Sequence, residues 1–300
     1  MKRVLVTGGS GQLGTELQRF AWPPGWVLDT PETADLDLRD TAAISAKVSD
    51  RPWAAIVNAA AFTGVDAAEC DVVTAWAVNA LAPAALAQAC ATANIPLIHI
   101  STDYVFDGQK SGPWAEDDPT SPLGVYGASK LGGELAVRSA CPRHVIIRTS
   151  WLVSAHGHNF VKTMLKLGTT RKEVRVVSDQ FGAPTAAGDL AAAVAGIAMR
   201  LVDDSQAPVG TFHFSNTGET TWHEIAKAIF AGAARRGQDA AQAIPIASAD
   251  YPTAVRRPVN SLLSHRALRA AYGIEPRDWR TALDEILDEL IGTATAPEPG

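Results

Sequence analysis

The chain has 300 residues, 47% of them hydrophobic and 19% charged, with 26 basic against 32 acidic side chains for a net charge of −6. That length suits about two domains, or one large α/β unit with an appendage, and the apolar content excludes wholesale disorder. The acidic balance argues against nucleic acid as the main partner, and no unbroken apolar run reaches the roughly 20 residues of a bilayer span, so no membrane is expected.

The predicted elements begin with a strand over residues 2–7 that runs into a glycine loop, then a helix over 14–21. The basic, apolar start is too short for a signal peptide and gives way to Gly8-Gly9-Ser10-Gly11. Strands are predicted over 26–30, 54–60, 96–102 and 145–149, with an Ala-rich helical region over 66–93 and a helix over 126–140. Strands alternating with helices imply βαβ units and a doubly wound parallel sheet. Runs such as Leu97-Ile98-His99-Ile100 suit strands buried on both faces; His99 there reads as a core histidine.

After residue 151 the pattern loosens. A short helix (159–167), a strand (174–177), an Ala-rich helix (186–201) and a strand (211–215) precede a stretch of helices and prolines. The expected division is a Rossmann-type dinucleotide-binding domain over 1–150, its sheet completed by parts of 173–208. A smaller substrate-binding lobe takes 151–172 and 209–292, and 293–300 is a disordered tail. Cys70, Cys90 and Cys141 are odd in number and widely spaced, which fits a reducing compartment and a cytoplasmic location.

Gly8, Gly11 and Gly14 follow the first strand and open a helix. Such glycines permit a tight turn, close approach of backbone amides to a pyrophosphate, and close helix–strand packing. Unpaired N–H groups at the helix start then face the anion. The Gly-x-x-Gly-x-x-Gly spacing resembles the short-chain dehydrogenase/reductase superfamily. Asp29, near the end of the second strand, is placed to bind an adenine-ribose hydroxyl, which would favour NADH over NADPH; a solvated loop acid is its other reading. Asp37-Leu38 matches the pair that contacts adenine in extended members of that superfamily.

Tyr126 and Lys130 lie four apart on one predicted helix face. Reducing a carbonyl requires a proton for the developing alkoxide, and a nearby ammonium is expected to lower the phenol's pKa. Alternatively, the two are surface residues with no joint role. Ser101-Thr102 ends the preceding strand, where a hydroxyl can polarise the carbonyl.

Ser101-Thr-Asp-Tyr-Val-Phe-Asp-Gly108, Tyr126 to Lys130 and the glycine loop together resemble the dTDP-4-dehydrorhamnose reductase family. So do Asn58-Ala-Ala-Ala-Phe-Thr63, Val65-Asp66-x-x-Glu69, Arg148-Thr-Ser-Trp151, Asn159-Phe160-Val161, Asp179 to Thr185, Thr221-Trp222 and Arg257 to Ser261. The resemblance implies NADPH or NADH as cofactor, with Gly8, Gly11, Gln12, Leu13, Gly14, Ala60, Ala61 and Thr63 beside it. It implies catalysis by Thr102, Tyr126 and Lys130 on a dTDP-sugar bound by Val65, Asp103, Tyr104 and Trp151. Arg257 would hold its diphosphate, and Asn79 would help order the site. From the residues alone, Trp151 also reads as core, Asp103 as a turn residue and Arg257 as plain loop.

Some members dimerise around Mg2+ held by glutamates. Glu16 and Glu289 match two such positions, but Gly188 falls at the third, so no metal is expected and the chain is a monomer or homodimer. Other readings are a related dTDP-4-keto-6-deoxysugar reductase, an epimerase or dehydratase on the same fold, and a non-catalytic subunit like the regulatory subunit of methionine adenosyltransferase.

Overall fold

The computed structural model describes residues 1–293; apart from Thr293, the tail expected over 293–300 lies outside the described residues. The first half alternates strand and helix: β1 (Lys2–Thr7), α1 (Gln12–Arg19), β2 (Trp26–Asp29), α2 (Thr41–Ser49) and β3 (Ala55–Asn58). Then follow α3 (Val65–Cys70), α4 (Val72–Trp76), α5 (Ala82–Ala93), β4 (Leu97–Thr102), α6 (Val125–Ala140) and β5 (His144–Thr149). The second half comprises β6 (Leu152–Val153), α7 (Phe160–Gly168), β7 (Glu173–Val177), β8 (Phe181–Gly182), β9 (Thr185–Ala186) and α8 (Ala187–Asp203). It ends with β10 (Gly210–His213), β11 (Thr220–Thr221), α9 (Trp222–Arg235), β12 (Gln242–Ile246), α10 (Arg266–Tyr272) and α11 (Trp279–Ile291).

Six strands form one sheet in the order β10-β5-β4-β3-β1-β2, every neighbouring pair parallel. Because successive side chains point to opposite faces, Val4 and Val6 pack under α1 and α8 with Leu17, Leu190 and Val194. Leu5, Ile56 and Leu97 point the other way, onto Ile44, Leu86 and Val137 of α2, α5 and α6. The chain leaves β1 toward β2 and then crosses back to β3. A crevice therefore opens at the carboxyl ends of β1 and β3, where open α/β sheets bind ligands.

The segment 173–208, expected to complete the sheet, contributes only helix α8 to it. β7 pairs with β12 in a separate two-stranded sheet, and β10 supplies the sixth strand. The reason lies in the pattern of β7, where exposed Glu173 and Arg175 alternate with buried Val174 and Val176. A strand of the main sheet is covered on both faces and cannot carry that alternation. β7 instead joins a second core with α7, α9 and α11, built around Ile225, Ile229, Phe230, Trp279 and Leu287.

Val72–Ala93 forms one helical run of 22 residues that matches a bilayer span in length and composition. Counting only unbroken apolar runs misses it. Its Ala75, Leu86, Ala87 and Cys90 are buried in the protein's own core, whereas Val72, Val73, Trp76 and Leu81 are exposed.

Candidate active site

The site starts from the turn after β1. Gly8 has φ of +76°, and a Cβ there would stand 2.7 Å from the Ala60 amide nitrogen. A Cβ on Gly14 would lie 2.1 Å from the Gly8 carbonyl oxygen, so α1 can approach β1 only as glycine. Gly11 is the N-cap of α1 and offers no side-chain cap. The first-turn N–H groups are left free for an anion.

A cleft of about 850 Å³ runs from this turn across the carboxyl ends of the strands. Gly8, Gly11, Gln12 and Leu13 line one end, with Asp37, Leu38, Ala60, Ala61 and Thr63. Val65, Thr102, Asp103, Tyr104, Tyr126, Lys130 and Trp151 line the remainder. Gly14, Asp29 and Arg257 are not among its walls. Gly14 acts beneath the turn, as its packing requires. The Asp29 carboxylate faces Lys47 at 3.3 Å and Arg51 at 3.7 Å, so it is engaged by two cations from α2 and its following loop. The wall there comes from Pro31, Glu32, Thr33, Leu36 and Arg39 instead. Arg39 grips Asp37 through Nε, 3.0 Å from both oxygens. That contact holds the Asp37 carboxyl down at about 2.

Three elements carry the reacting groups. Thr102 ends β4, and Tyr126 and Lys130 stand one turn apart on α6. α6 has no cap of its own at Gly124, and Glu69 of α3 accepts a bond from the Val125 N–H at 2.6 Å. Asn79 lies in a π-helical turn (Ala77–Leu81) between α4 and α5. Its Oδ1 accepts from the Phe62 N–H (2.8 Å), and its Nδ2 donates to Phe62 O (3.1 Å) and Ser129 Oγ (3.0 Å). One side chain thus fixes the cleft wall after β3 against α6. His99 is fully buried beside Asn58 and, with its pKa pushed well below normal by burial, stays neutral as a core histidine.

Burial raises the Tyr126 phenol to about 12, opposed by a hydrogen bond with Thr102. This corrects the expectation that Lys130 makes the phenol more acidic. The Lys130 ammonium donates to Ile100 O at 2.6 Å, and burial lowers it to about 8. Desolvation outweighs the Thr102 hydrogen bond at Tyr126 and the Glu134 charge at Lys130. Asp103 is raised to about 6 by burial, with the Thr102 and Ser261 hydroxyls opposing. Tyr104 packs edge-on against Tyr126, ring centroids 5.5 Å apart.

At the far wall, Trp151 adopts φ of +49°, rare for a bulky residue. Its ring stacks on Trp222 with centroids 4.0 Å apart. Ser154 Oγ and Asn159 Nδ2 donate to Gln12 Oε1 at 2.9 and 3.0 Å. These bonds tie the glycine turn to the second lobe, and Asn159 also caps α7. Arg257 pairs with Asp66 at 2.6 Å, and its Nη1 is buried without a partner. Trp222, Arg39 and His158 also line the cleft; of these the sequence carries a signal only for Trp222, in the Thr221-Trp222 resemblance.

Glu16 and Glu289 do come together, joined by His156, their ligand atoms all within 4.8 Å of one another. Arg19 already occupies the cluster, with Nη1 2.5 Å from Glu289, and Gly188 faces Glu16 where a further carboxylate would be needed. A guanidinium in place of a third acid does not suit a hard cation.

The parallel sheet, the glycine turn at its switch point and the Thr102–Tyr126–Lys130 wall define a Rossmann-type protein of the extended short-chain dehydrogenase/reductase class. The family model described as RmlD substrate binding domain matches residues 1–291, and the chain belongs to that family. A dTDP-4-dehydrorhamnose reductase of Sinorhizobium fredii is 42% identical, over 96% of this chain and 98% of that one. A Bacillus anthracis dTDP-4-dehydrorhamnose reductase solved in complex with NADP superposes with a TM-score of 0.89 at 35% identity, covering 96% of this chain and 100% of that one. A Clostridium acetobutylicum dTDP-4-dehydrorhamnose reductase gives the same TM-score and identity, covering 96% and 99%.

Proposed function

We propose that the protein reduces the C4 keto group of dTDP-4-dehydro-β-L-rhamnose to give dTDP-L-rhamnose, using NADPH or NADH. The observation that carries this reading is the meeting of Thr102, Tyr126 and Lys130 on one wall of the cleft that begins at the glycine turn. The names and near-complete coverage of the relatives support it. A dinucleotide fits the turn: no side chain has room at Gly8 or Gly14, and the start of α1 is open to a pyrophosphate.

When bound, the reduced nicotinamide supplies the hydride. The residues of the chain do the rest. Thr102 holds the carbonyl oxygen, and Tyr126 delivers the proton to it as negative charge develops, two donors converging on one oxyanion. A phenol at about 12 keeps its proton until then, so Tyr126 acts as an acid and not as a standing phenolate. Lys130 orients the nicotinamide ribose through its remaining donors. Val65, Asp103, Tyr104 and the Trp151–Trp222 stack enclose the sugar; Arg257, paired with Asp66 outside the cleft walls, would have to turn inward to meet its diphosphate. The β1–β5 half with β10 holds the dinucleotide, and the lobe built on α7, α9 and α11 holds the sugar nucleotide.

The test is oxidation of reduced cofactor on adding the keto sugar, with the product identified. Rhamnose on dTDP supports the reading. Another deoxysugar points to a related reductase, and no turnover with any keto sugar overturns catalysis.

A further inference from the structure

Directly behind the reacting groups lies a buried charge cluster that the chemistry above does not use. Glu134 is one turn beyond Lys130 on α6 and is fully buried. Its carboxylate accepts from Ser101 Oγ at 2.6 Å on β4, and from Arg148 Nε (2.9 Å) and Nη2 (2.8 Å) on β5. Arg138, a turn further along α6, also donates to it. Ser101 adjoins Thr102, Arg148 stands three residues before Trp151, and Lys130 shares the helix face of Glu134. One carboxylate is thus bonded to the three elements that carry the proposed site.

We propose that Glu134 is a positioning residue for the proposed reductase, locking β4, β5 and α6 together and supplying the counter-charge that keeps Lys130 an ammonium. A buried anion with four hydrogen bonds from cations and a hydroxyl is fully satisfied, so it specifies one arrangement of those elements. Glu134 is held below the ordinary carboxylate range by Arg148 against the opposing effect of burial, so it stays charged. It is also the group that opposes the loss of the Lys130 proton.

The other groups around the cluster leave this role to Glu134. His99 on β4 is neutral, as is His213 on β10, pushed down to about 3 by burial and Arg148. Glu116 lends Arg148 its backbone carbonyl at 3.2 Å, and its own carboxyl is raised by burial. Asp103, Tyr104 and Tyr126 flank Thr102, and the Asp103 carboxyl is raised toward neutrality. Glu69 of α3 is spent on the Val125 N–H.

The inference rests on the proposed reductase reading, and its test separates the two. Cofactor affinity is measured against pH by quenching of tryptophan fluorescence with NADPH and NADH, alongside turnover. In the wild type both fall at alkaline pH as Lys130 loses its proton. Glu134→Gln moves that fall to lower pH by about one unit, since a buried counter-charge acts at this scale. Arg138→Gln, at a half-exposed position, leaves Glu134 less neutralised and moves the fall to higher pH. A purely structural carboxylate would weaken both variants and move neither profile, and that result overturns the proposal. Should Glu134→Gln not fold, an unmoved profile in Arg138→Gln overturns it equally. A wild type that binds cofactor yet oxidises none refutes the reductase reading, while the binding profiles still decide the role of Glu134.

Discussion

Lys130 sits where a charged side chain is costly, and the cost can be read out. It is 2% exposed, and its ammonium is lowered from 10.5 to about 8 by burial. At about 1.4 kcal/mol per unit, holding that proton in the folded state costs about 3 kcal/mol below pH ~8. The folded value lies below the unfolded one, so between about pH 8 and 10.5 the unfolded chain binds more protons and stability rises with pH. Lys130→Met removes the charge and keeps most of the volume, at the expense of the hydrogen bond to Ile100 O, worth about 1 kcal/mol. The variant should therefore be more stable than wild type near pH 7, by about 1–2 kcal/mol, while losing turnover. The advantage should shrink by about 1 kcal/mol between about pH 7 and pH 9, as wild-type Lys130 gives up its proton. Urea unfolding at both pH values measures this. A Met variant that is less stable at both, or whose gap ignores pH, would refute the claim that this ammonium is held against desolvation.

Other substitutions probe the remaining parts. Tyr126→Phe should lower kcat by about 10²–10⁴ through loss of the proton donor, with cofactor affinity nearly unchanged in a binding titration. Gly14→Ala should destabilise the turn by at least about 1–3 kcal/mol and abolish measurable cofactor binding, because the new methyl meets the Gly8 backbone. Gly11→Ala, whose Cβ would meet only the Gly8 carbonyl oxygen at 3.3 Å, should be far milder, and equal effects would contradict the packing argument. Glu69→Ala should cost about 0.5–2 kcal/mol by uncapping α6, and should reduce kcat more than a surface substitution of equal stability cost, since Tyr126 is in the first turn of that helix.

The residues that fix the sheet were legible because they are simple in pattern. β1, β4 and β5 are apolar runs buried on both faces, and the spacing of Gly8, Gly11 and Gly14 admits few other backbones. Helical spacing put Tyr126 and Lys130 on one face and the strand end put the Ser101 and Thr102 hydroxyls near a carbonyl, but the catalytic roles and the choice of Thr102 came with the family resemblance. What depends on tertiary partners was not legible. Asp29 is a plausible ribose ligand until Lys47 and Arg51, brought up by α2, engage it. The acidity of Tyr126 depends on how deeply α6 is buried, which no spacing reveals. The pairing of β7 with β12 was hidden, although the alternation of Glu173 to Val176 already argued against a central strand. Asp40, whose side chain caps α2 through the Ala42 and Ala43 N–H groups, marks the start of a helix absent from the predicted elements. Glu134, four residues after Lys130, was likewise in plain view, but its meaning came only with Arg148 and Ser101 around it.

The most direct measurement follows the hydride. Reduced cofactor carrying deuterium at the transferable C4 position is incubated with the protein and dTDP-4-dehydro-β-L-rhamnose, and the sugar is analysed by mass spectrometry and NMR. The account predicts dTDP-L-rhamnose with deuterium at C4, and loss of that label transfer in Tyr126→Phe. Unlabelled sugar, or label found at another carbon, would contradict it.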